Sequence, residues 1–239
     1  MESGGNVDED SVIDANWIVE EEKFKSKIIC HDMYDWQHKR CISRVGGMDL
    51  SFIKGNEKVA CAALVICELP DFEVVYEDIK MVSLTIPYIP GFAGFLGYRE
   101  APALVEAFSR LCDTNPSLVP ECILVDGNGV LHPRGYGLAS HVGVLCDVPA
   151  VGVAKNLYQM DGILRDDQKQ KISHLREPGD HFALKTNSGN TLGLLVMTPC
   201  RSQNTLNITF PDDDRDLALF GGGKSAWFHC LLISFVSGS

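Results

Sequence analysis

Hydrophobic and polar residues alternate along the chain with two different periods, and these periods predict its elements. Residues 11–30 place apolar side chains on one helical stripe with acidic residues between them, which predicts an amphipathic helix. Apolar runs follow over 45–52, 58–67 and 73–82, and the links between them are short. These runs predict three antiparallel strands in a meander.

The second half of the chain alternates strands with helices. A helix from about Pro102 to Leu111 precedes a strand that ends at Asp126, and a short helix near 140–146 precedes a buried strand over 148–155. Strands separated by helices favour parallel pairing, so we expect a mixed α/β sheet, antiparallel first and then parallel, flanked by helices. Between the two halves, residues 87–100 contain two prolines and three glycines, which predict a shaped loop.

Length and composition indicate one α/β domain. The chain has 239 residues, of which 45% are hydrophobic and 22% charged, enough to bury a substantial core. The first residues lack the pattern of a signal peptide, and no apolar run reaches the length of a membrane span. We therefore expect a soluble, intracellular protein without a membrane partner, cytoplasmic and, as a second location, nuclear or nucleolar. The nine cysteines are scattered without a Cys-x-x-Cys pair, which favours reduced thiols.

The charge of the chain limits the kinds of partner it can have. Its formal net charge is −11 and its pI is near 5.0, which argues against a general binder of polyanions with a dominant basic face. Any contact with nucleic acid must therefore be local.

Three carboxylates stand at positions that suit metal chemistry. Asp126 ends an apolar strand and is followed by four glycines within eleven positions, at the kind of strand end where α/β proteins collect ligands. Asp49 lies inside the first strand, and Glu100 lies at the start of a helix after the loop. If the first and fourth strands are neighbours, these carboxylates can share Mg²⁺, and phosphodiester hydrolysis is the natural reaction.

Simpler interpretations exist for the same residues. Asp126 and Asp49 also fit turn or strand-end positions, and Glu100 also fits a first-turn charge favoured by the helix dipole. Gly127-Asn-Gly129 lacks the third glycine of a dinucleotide-binding fingerprint. The run 222–225 resembles the end of a phosphate-binding P-loop, but Ala218 occupies the place of its first glycine.

Six motifs, in order along the chain, together closely resemble the endonuclease V family of inosine-specific nucleases. They are Met48–Ser51, Pro87–Gly91, Tyr98–Glu100, Val125–His132, Gly135–Gly143 and Val151–Lys155. The resemblance covers about residues 10–196. It implies that these residues form a nuclease domain with a ribonuclease H-like fold, and that residues 197–239 are a divergent C-terminal tail.

The resemblance also implies an activity. Asp49 and Asp126 are implied to bind a metal, Mg²⁺ or Mn²⁺ in its place, with Glu100 completing a catalytic acidic site. The reaction implied is cleavage of the second phosphodiester on the 3′ side of inosine, leaving 3′-hydroxyl and 5′-phosphate ends. Likeness to the animal-type members favours single-stranded inosine-containing RNA as substrate, with deoxyinosine-containing DNA as a related one.

Residues around the carboxylates fit the recognition of an inosine strand. Tyr88 suits a wedge that fills the gap left by a flipped base, and the flanking prolines limit its backbone freedom. Main-chain groups in the glycine-rich run can read the edge of hypoxanthine, whereas adenine would mispair there. Lys155 and His132 are placed to meet a phosphate, and His132 can also carry a proton. The predicted substrate-binding residues are Pro87, Tyr88, Ile89, Pro90, Gly91, Gly127, Gly129, His132, Gly137 and Lys155.

The tail departs from the family pattern after Val196. The family continues with a strand and a helical segment that help to complete the acidic site and cover the sheet, whereas this chain carries no carboxylate after Asp216. A second hypothesis is therefore an inosine-RNA binding protein with weak or no catalytic activity.

Overall fold

A computed structural model describes residues 15–39, 41–86, 95–154, 157–198 and 229–236. The helices are α1 (Ala15–Lys25), α2 (Asp35–Lys39), α3 (Leu96–Thr114), α4 (Leu138–Cys146) and α5 (Arg165–Ile172). The strands are β1 (Arg44–Ile53), β2 (Asn56–Glu68), β3 (Glu73–Ser83), β4 (Cys122–Asp126), β5 (Ala150–Ala154), β6 (His181–Lys185), β7 (Thr191–Thr198) and β8 (His229–Val236).

The strands form one mixed sheet of eight strands in the order β3-β2-β1-β4-β5-β8-β7-β6. β1, β2 and β3 pair antiparallel, and β1, β4 and β5 pair parallel. This arrangement confirms the predicted fold class, and it makes the first and fourth strands neighbours, as a shared metal site requires.

One face of the sheet packs on α3 and α4 and holds the main core. β1 and β2 contribute every second residue to this core, as expected of strands with one buried face. Leu104 and Leu111 of α3 are fully buried against Leu64, Ile66 and Ile123 of the sheet. Burial of each such side chain contributes about 1.5–3 kcal/mol, so α3 is fixed firmly on the sheet.

The predicted start of the third helix at Pro102 is wrong. The helix begins at Leu96, so that Pro102 lies inside it and Glu100 lies one turn beyond its start. Proline cannot donate the helical hydrogen bond and costs about 3 kcal/mol inside a helix. Buried Tyr98, Ala101 and Leu104 on both sides of Pro102 provide the packing that outweighs this cost.

Other predicted boundaries shift by a few residues. Helix α1 ends at Lys25 rather than near residue 30, and residues 11–14 lie outside the described part. α4 begins at Leu138, and β5 spans only Ala150–Ala154.

The tail contributes a strand to the sheet. β8 pairs antiparallel with both β5 and β7. The described part of the chain contains no helix long and apolar enough to cross a membrane. Seven cysteines of the described residues, from Cys30 to Cys146, are free thiols.

Candidate active site

Asp49 and Asp126 are brought together by the parallel pairing of β1 and β4. Met48 pairs with Val125, and the two aspartates are the next residues on their strands. Met48 and Val125 are buried in the core, so strand alternation keeps both aspartate side chains out of it, next to each other at the ends of the two strands. Both are partly exposed, and the Ser51 hydroxyl donates to Asp49 Oδ2 at 2.8 Å.

Glu100 of α3 belongs to the same electrostatic environment. It is buried, and burial raises the pKa of its carboxyl group to about 7. The positive charge of Arg99 opposes this rise in pKa, whereas the negative charges of Asp126 and Asp49 add to it. Both aspartates therefore lie close enough to Glu100 to oppose its ionisation.

Arg99 connects Glu100 with two other segments of the site. Its guanidinium donates to Glu100 Oε1 at 3.3 Å, to the backbone carbonyl of Ile86 at 3.3 Å and to the backbone carbonyl of Glu57. It also lies over the ring of Phe52, 4.6 Å from the centroid. Ile86 is the last described residue before the predicted wedge motif, residues 87–91. Arg99 therefore links the residue that precedes this motif with Glu100.

The acidic residues do not form a preformed cage for a metal. Among the described residues, no three His, Cys, Asp or Glu side chains lie close enough to hold a metal ion by themselves. The pair Asp49 and Asp126 nevertheless fits a hard cation such as Mg²⁺, which commonly binds one or two carboxylates and completes its shell with water and substrate phosphate. Repulsion between the carboxylates, which contributes to the raised pKa of Glu100, would be relieved by a cation.

The glycine-rich run after Asp126 folds back on itself. The Gly137 amide donates to the carbonyl of Gly129 at 3.0 Å, and the Ala139 amide donates to the carbonyl of Asn128 at 3.0 Å. A Cβ atom on Gly137 would collide with the Asn128 carbonyl oxygen, so only glycine allows this closure. A Cβ on Gly152 of β5 would likewise lie 2.7 Å from the Gly127 carbonyl oxygen. Backbone of the protein itself therefore approaches these two glycines.

His132 is buried within this loop. The Arg134 amide donates to His132 Nδ1 at 3.3 Å, and the imidazole meets the ring of Tyr158 edge-on at 5.5 Å between centroids. An Nδ1 atom that accepts a hydrogen bond favours the neutral tautomer with its proton on Nε2. The histidine is thus oriented by the loop in which it lies.

Several predicted site residues cannot be placed. Pro87, Tyr88, Ile89, Pro90, Gly91 and Lys155 lie outside the described residues. Their roles remain predictions.

Arg99 and Arg134 are parts of the site that the sequence did not predict. Arg99 precedes the predicted Glu100, and Arg134 lies two residues after the predicted His132. A basic residue next to a candidate acid or histidine is the signal that could have pointed to them, because such neighbours balance buried charge.

Comparison with known proteins places the chain in a family. The family model described as Endonuclease V matches residues 22–208. Human Endonuclease V is 44% identical over 213 residues, covering 87% of this chain and 74% of the human protein. Mouse Endonuclease V is 43% identical over 197 residues, covering 81% of this chain and 57% of the mouse protein, so the chain spans little more than half of that relative.

Solved structures agree with this assignment. The crystal structure of the catalytic domain of human Endonuclease V matches with a TM-score of 0.75 and 41% identity, covering 94% of this chain and 81% of that one. Ciona intestinalis Endonuclease V, solved in complex with a 24mer DNA containing an inosine followed by a ribo-adenosine, matches with a TM-score of 0.70 and 26% identity, covering 94% and 82%. The chain belongs to the endonuclease V family.

Proposed function

We propose that this chain is a divalent-metal-dependent endonuclease that cleaves the second phosphodiester on the 3′ side of inosine, leaving 3′-hydroxyl and 5′-phosphate ends. The observation that carries the proposal is the juxtaposition of Asp49 and Asp126 on paired parallel strands, with Glu100 in the same field. The Ciona relative crystallised with an inosine-containing strand supports the choice of substrate.

Asp49 and Asp126 would hold the metal, Mg²⁺ or Mn²⁺ in its place. When bound, the metal polarises the phosphoryl group and lowers the pKa of an attacking water. The Ser51 hydroxyl donates to Asp49 Oδ2 and would orient that carboxylate for metal binding.

Glu100 is suited to hold or release a proton near neutral pH. A pKa of about 7 means that both forms of its carboxyl group are populated under those conditions. The hydrogen bond from Arg99 orients Glu100 Oε1 and balances the ionised form. A second positive charge nearby would shift Glu100 further toward its ionised form.

The glycine-rich loop and the wedge motif would select inosine. Tyr88 would fill the stack after the base leaves it, while main-chain groups of Gly127, Gly129 and Gly137 read the hypoxanthine edge. The Gly137 amide and the Gly129 carbonyl are already paired with each other and the Gly127 amide with Val153, so the other main-chain groups of these glycines would make the contact. Because these hydrogen bonds fix the loop, little entropy would be lost on binding. Lys155 and His132 would contact the backbone phosphates.

The preferred substrate in this proposal is single-stranded inosine-containing RNA, with deoxyinosine-containing DNA as a secondary substrate. The decisive experiment uses four matched oligonucleotides, RNA and DNA, each with and without one inosine, and maps the cut and its end groups. We expect cleavage at the second phosphodiester on the 3′ side of inosine, and we expect the RNA to be cleaved faster than the DNA. Equal cleavage of inosine-containing and unmodified strands would overturn the proposal, and faster cleavage of DNA would overturn the RNA preference.

An alternative function is inosine-RNA binding with weak or no cleavage. The departure of the tail from the family pattern after Val196 favours it. Binding and cleavage of one labelled inosine oligonucleotide should be measured for this chain and for a graft that carries the family-type terminus after Val196. The alternative would be supported if this chain binds the oligonucleotide tightly without cleaving it, and if the graft restores both cleavage and solubility. Equal cleavage by both would refute it.

A further inference from the structure

Glu21 of α1 is a buried acid whose main partner lies far away in the sequence. Its side chain is only 1% exposed, and both of its carboxylate oxygens lie 3.0 Å from Arg134 Nε. Lys25 Nζ lies 3.0 Å from Glu21 Oε1 and is itself partly exposed. Glu21 is one of the acidic residues between the apolar positions of this helix, and the ion pair with Arg134 explains how its carboxylate can be buried.

Arg134 is also held on its other sides. Its guanidinium lies over the ring of Phe95, 4.4 Å from the centroid. Its backbone amide donates to His132 Nδ1, and the next amide, of Gly135, donates to the carbonyl of His132 at 2.7 Å. Arg134 therefore connects the orientation of the His132 ring with the carboxylate of Glu21.

Helix α1 is a fixed base for this connection. The ring of Trp17 stacks on Tyr98 with centroids 5.1 Å apart, and the Tyr98 hydroxyl donates to the Trp17 carbonyl at 2.8 Å. Phe24 packs against Tyr136 and His141. α1 is thus anchored on α3 next to Arg99 and Glu100, and on the end of the glycine-rich loop.

A buried ion pair contributes little net stability compared with apolar side chains of similar volume, because desolvation of the charges offsets their attraction. What the pair supplies is a directional link. A charge-assisted contact to both oxygens fixes the guanidinium in position and direction, which apolar packing does not do.

We propose that Glu21 is a positioning residue, which acts through Arg134 to hold the loop after Asp126, together with the His132 ring, in the geometry required to cleave an inosine strand. This inference rests on the proposed function, since it assigns to a residue outside the family motifs quoted above a role in the same site.

The first test compares Glu21→Gln, Arg134→Gln and the double variant on the inosine-containing RNA. Displacement of the loop should lower kcat/KM by roughly tenfold to a hundredfold in each single variant, mainly through kcat. The double variant should lose no more than either single variant, because both remove one link. Discrimination between inosine-containing and unmodified strands should fall in parallel.

Asp78→Asn is the matched control. Asp78 is a buried acid of β3 paired with Arg110 of α3, remote from the loop. Its loss should lower thermal stability while leaving kcat/KM of the folded protein unchanged. If Glu21→Gln does not fold, Glu21→Leu combined with Arg134→Met replaces the pair by apolar side chains and carries the same test.

Hydrogen exchange in the free protein provides a readout that needs no substrate. The amides of Gly135, Gly137 and Ala139 should exchange faster in Glu21→Gln than in the wild type, whereas Asp78→Asn should leave them unchanged. The positioning role would be overturned if these amides exchange in Glu21→Gln at the wild-type rate. It would also be overturned if the folded Glu21→Leu, Arg134→Met variant has the kcat/KM of the wild type. A wild-type protein that cleaves no inosine strand would refute the proposed function, and the exchange measurement would still decide the role of Glu21.

Discussion

Asp49 and Asp126 lie at the same level of two hydrogen-bonded parallel strands, each one residue beyond the paired residues Met48 and Val125. Adjacent strands are about 4.8 Å apart, so the sheet itself sets the spacing of the two backbones. Two ionised carboxylates on adjacent backbones would repel each other, and a shared cation would relieve the repulsion. The sheet ladder thus provides the rigid support that a metal-dependent site requires.

Asp49→Asn and Asp126→Asn should each abolish cleavage. Each substitution removes a ligand charge with little change in volume, and loss of metal-assisted charge stabilisation should slow turnover by at least ~1,000-fold. Single-turnover cleavage in Mg²⁺ and calorimetric titration with Mn²⁺ measure the two effects, and EDTA should reproduce the loss in the wild type. Asp113→Asn, at an exposed position near the end of α3, is the control. Near-normal turnover in either site variant would show that its residue is not a ligand.

Glu100→Gln should stabilise the metal-free protein at pH 8. The folded-state pKa of Glu100 is about 7, above its ordinary value of 4.5, so the folded state binds more protons between these pH values. Stability therefore falls as pH rises from 4.5 to 7, by at most about 3 kcal/mol. Urea unfolding in EDTA at pH 5 and pH 8 should show that Glu100→Gln gains stability over the wild type as the pH rises, a comparison in which the opposite contribution of His141, present in both proteins, cancels. The same pH dependence in both proteins would contradict the raised pKa.

His141 should have the opposite effect on stability. Burial lowers the pKa of its imidazole from 6.5 to about 4, and the ring packs among Phe24, Tyr98 and Tyr136. Below pH 6.5 the unfolded state binds the extra proton, so stability falls as pH drops from 6.5 to 4, by about 3 kcal/mol at most. His141→Phe keeps an aromatic ring, so its stability relative to the wild type, measured by urea unfolding, should rise as the pH falls from 7 to 4. If the sensitivity persists unchanged in the variant, another group causes it.

The sequence was sufficient to predict the antiparallel pairing of β1, β2 and β3, because strand periodicity and short links restrict how they can pair, but it left the contact of β1 with β4 as a condition that the structure fulfils. It was not sufficient for the start of α3, since the local rule against proline in a helix is overridden by burial on both sides of Pro102. The ion pair between Glu21 and Arg134 could not be predicted from the sequence either. An acid in an acidic amphipathic helix resembles a solvated residue until a partner 113 positions later is placed against it.

Tyr88→Ala should weaken binding of the inosine strand more than binding of an unmodified strand. Loss of base–aromatic stacking costs about 1–3 kcal/mol, equivalent to roughly 5- to 150-fold in Kd. Fluorescence anisotropy on matched strands in EDTA measures binding without cleavage, and Tyr88→Phe, which keeps the ring, should bind as the wild type does. Equal losses on both strands would assign Tyr88 to packing of its loop.

Ile233→Pro should disconnect the last strands from the rest of the sheet. The backbone of Ile233 is paired with Val153 of β5 on one side and with Leu194 of β7 on the other. In the described sheet, β8 is the strand that joins β7 and β6 to β5. Proline removes the amide donor in this central position, and such a residue is tolerated essentially only at sheet edges.

The variant should expose unpaired strand edges of β5 and β7, lower the unfolding midpoint, increase binding of a hydrophobic dye and aggregate more readily. Ile233→Val keeps the amide and serves as the control. If Ile233→Pro instead matches the control in stability and solubility, β8 is dispensable, and residues after Thr198 are an appendage rather than part of the fold. A loss confined to Ile233→Pro would mean that any graft after Val196 must supply a strand in the place of β8 before its effect on cleavage can be interpreted.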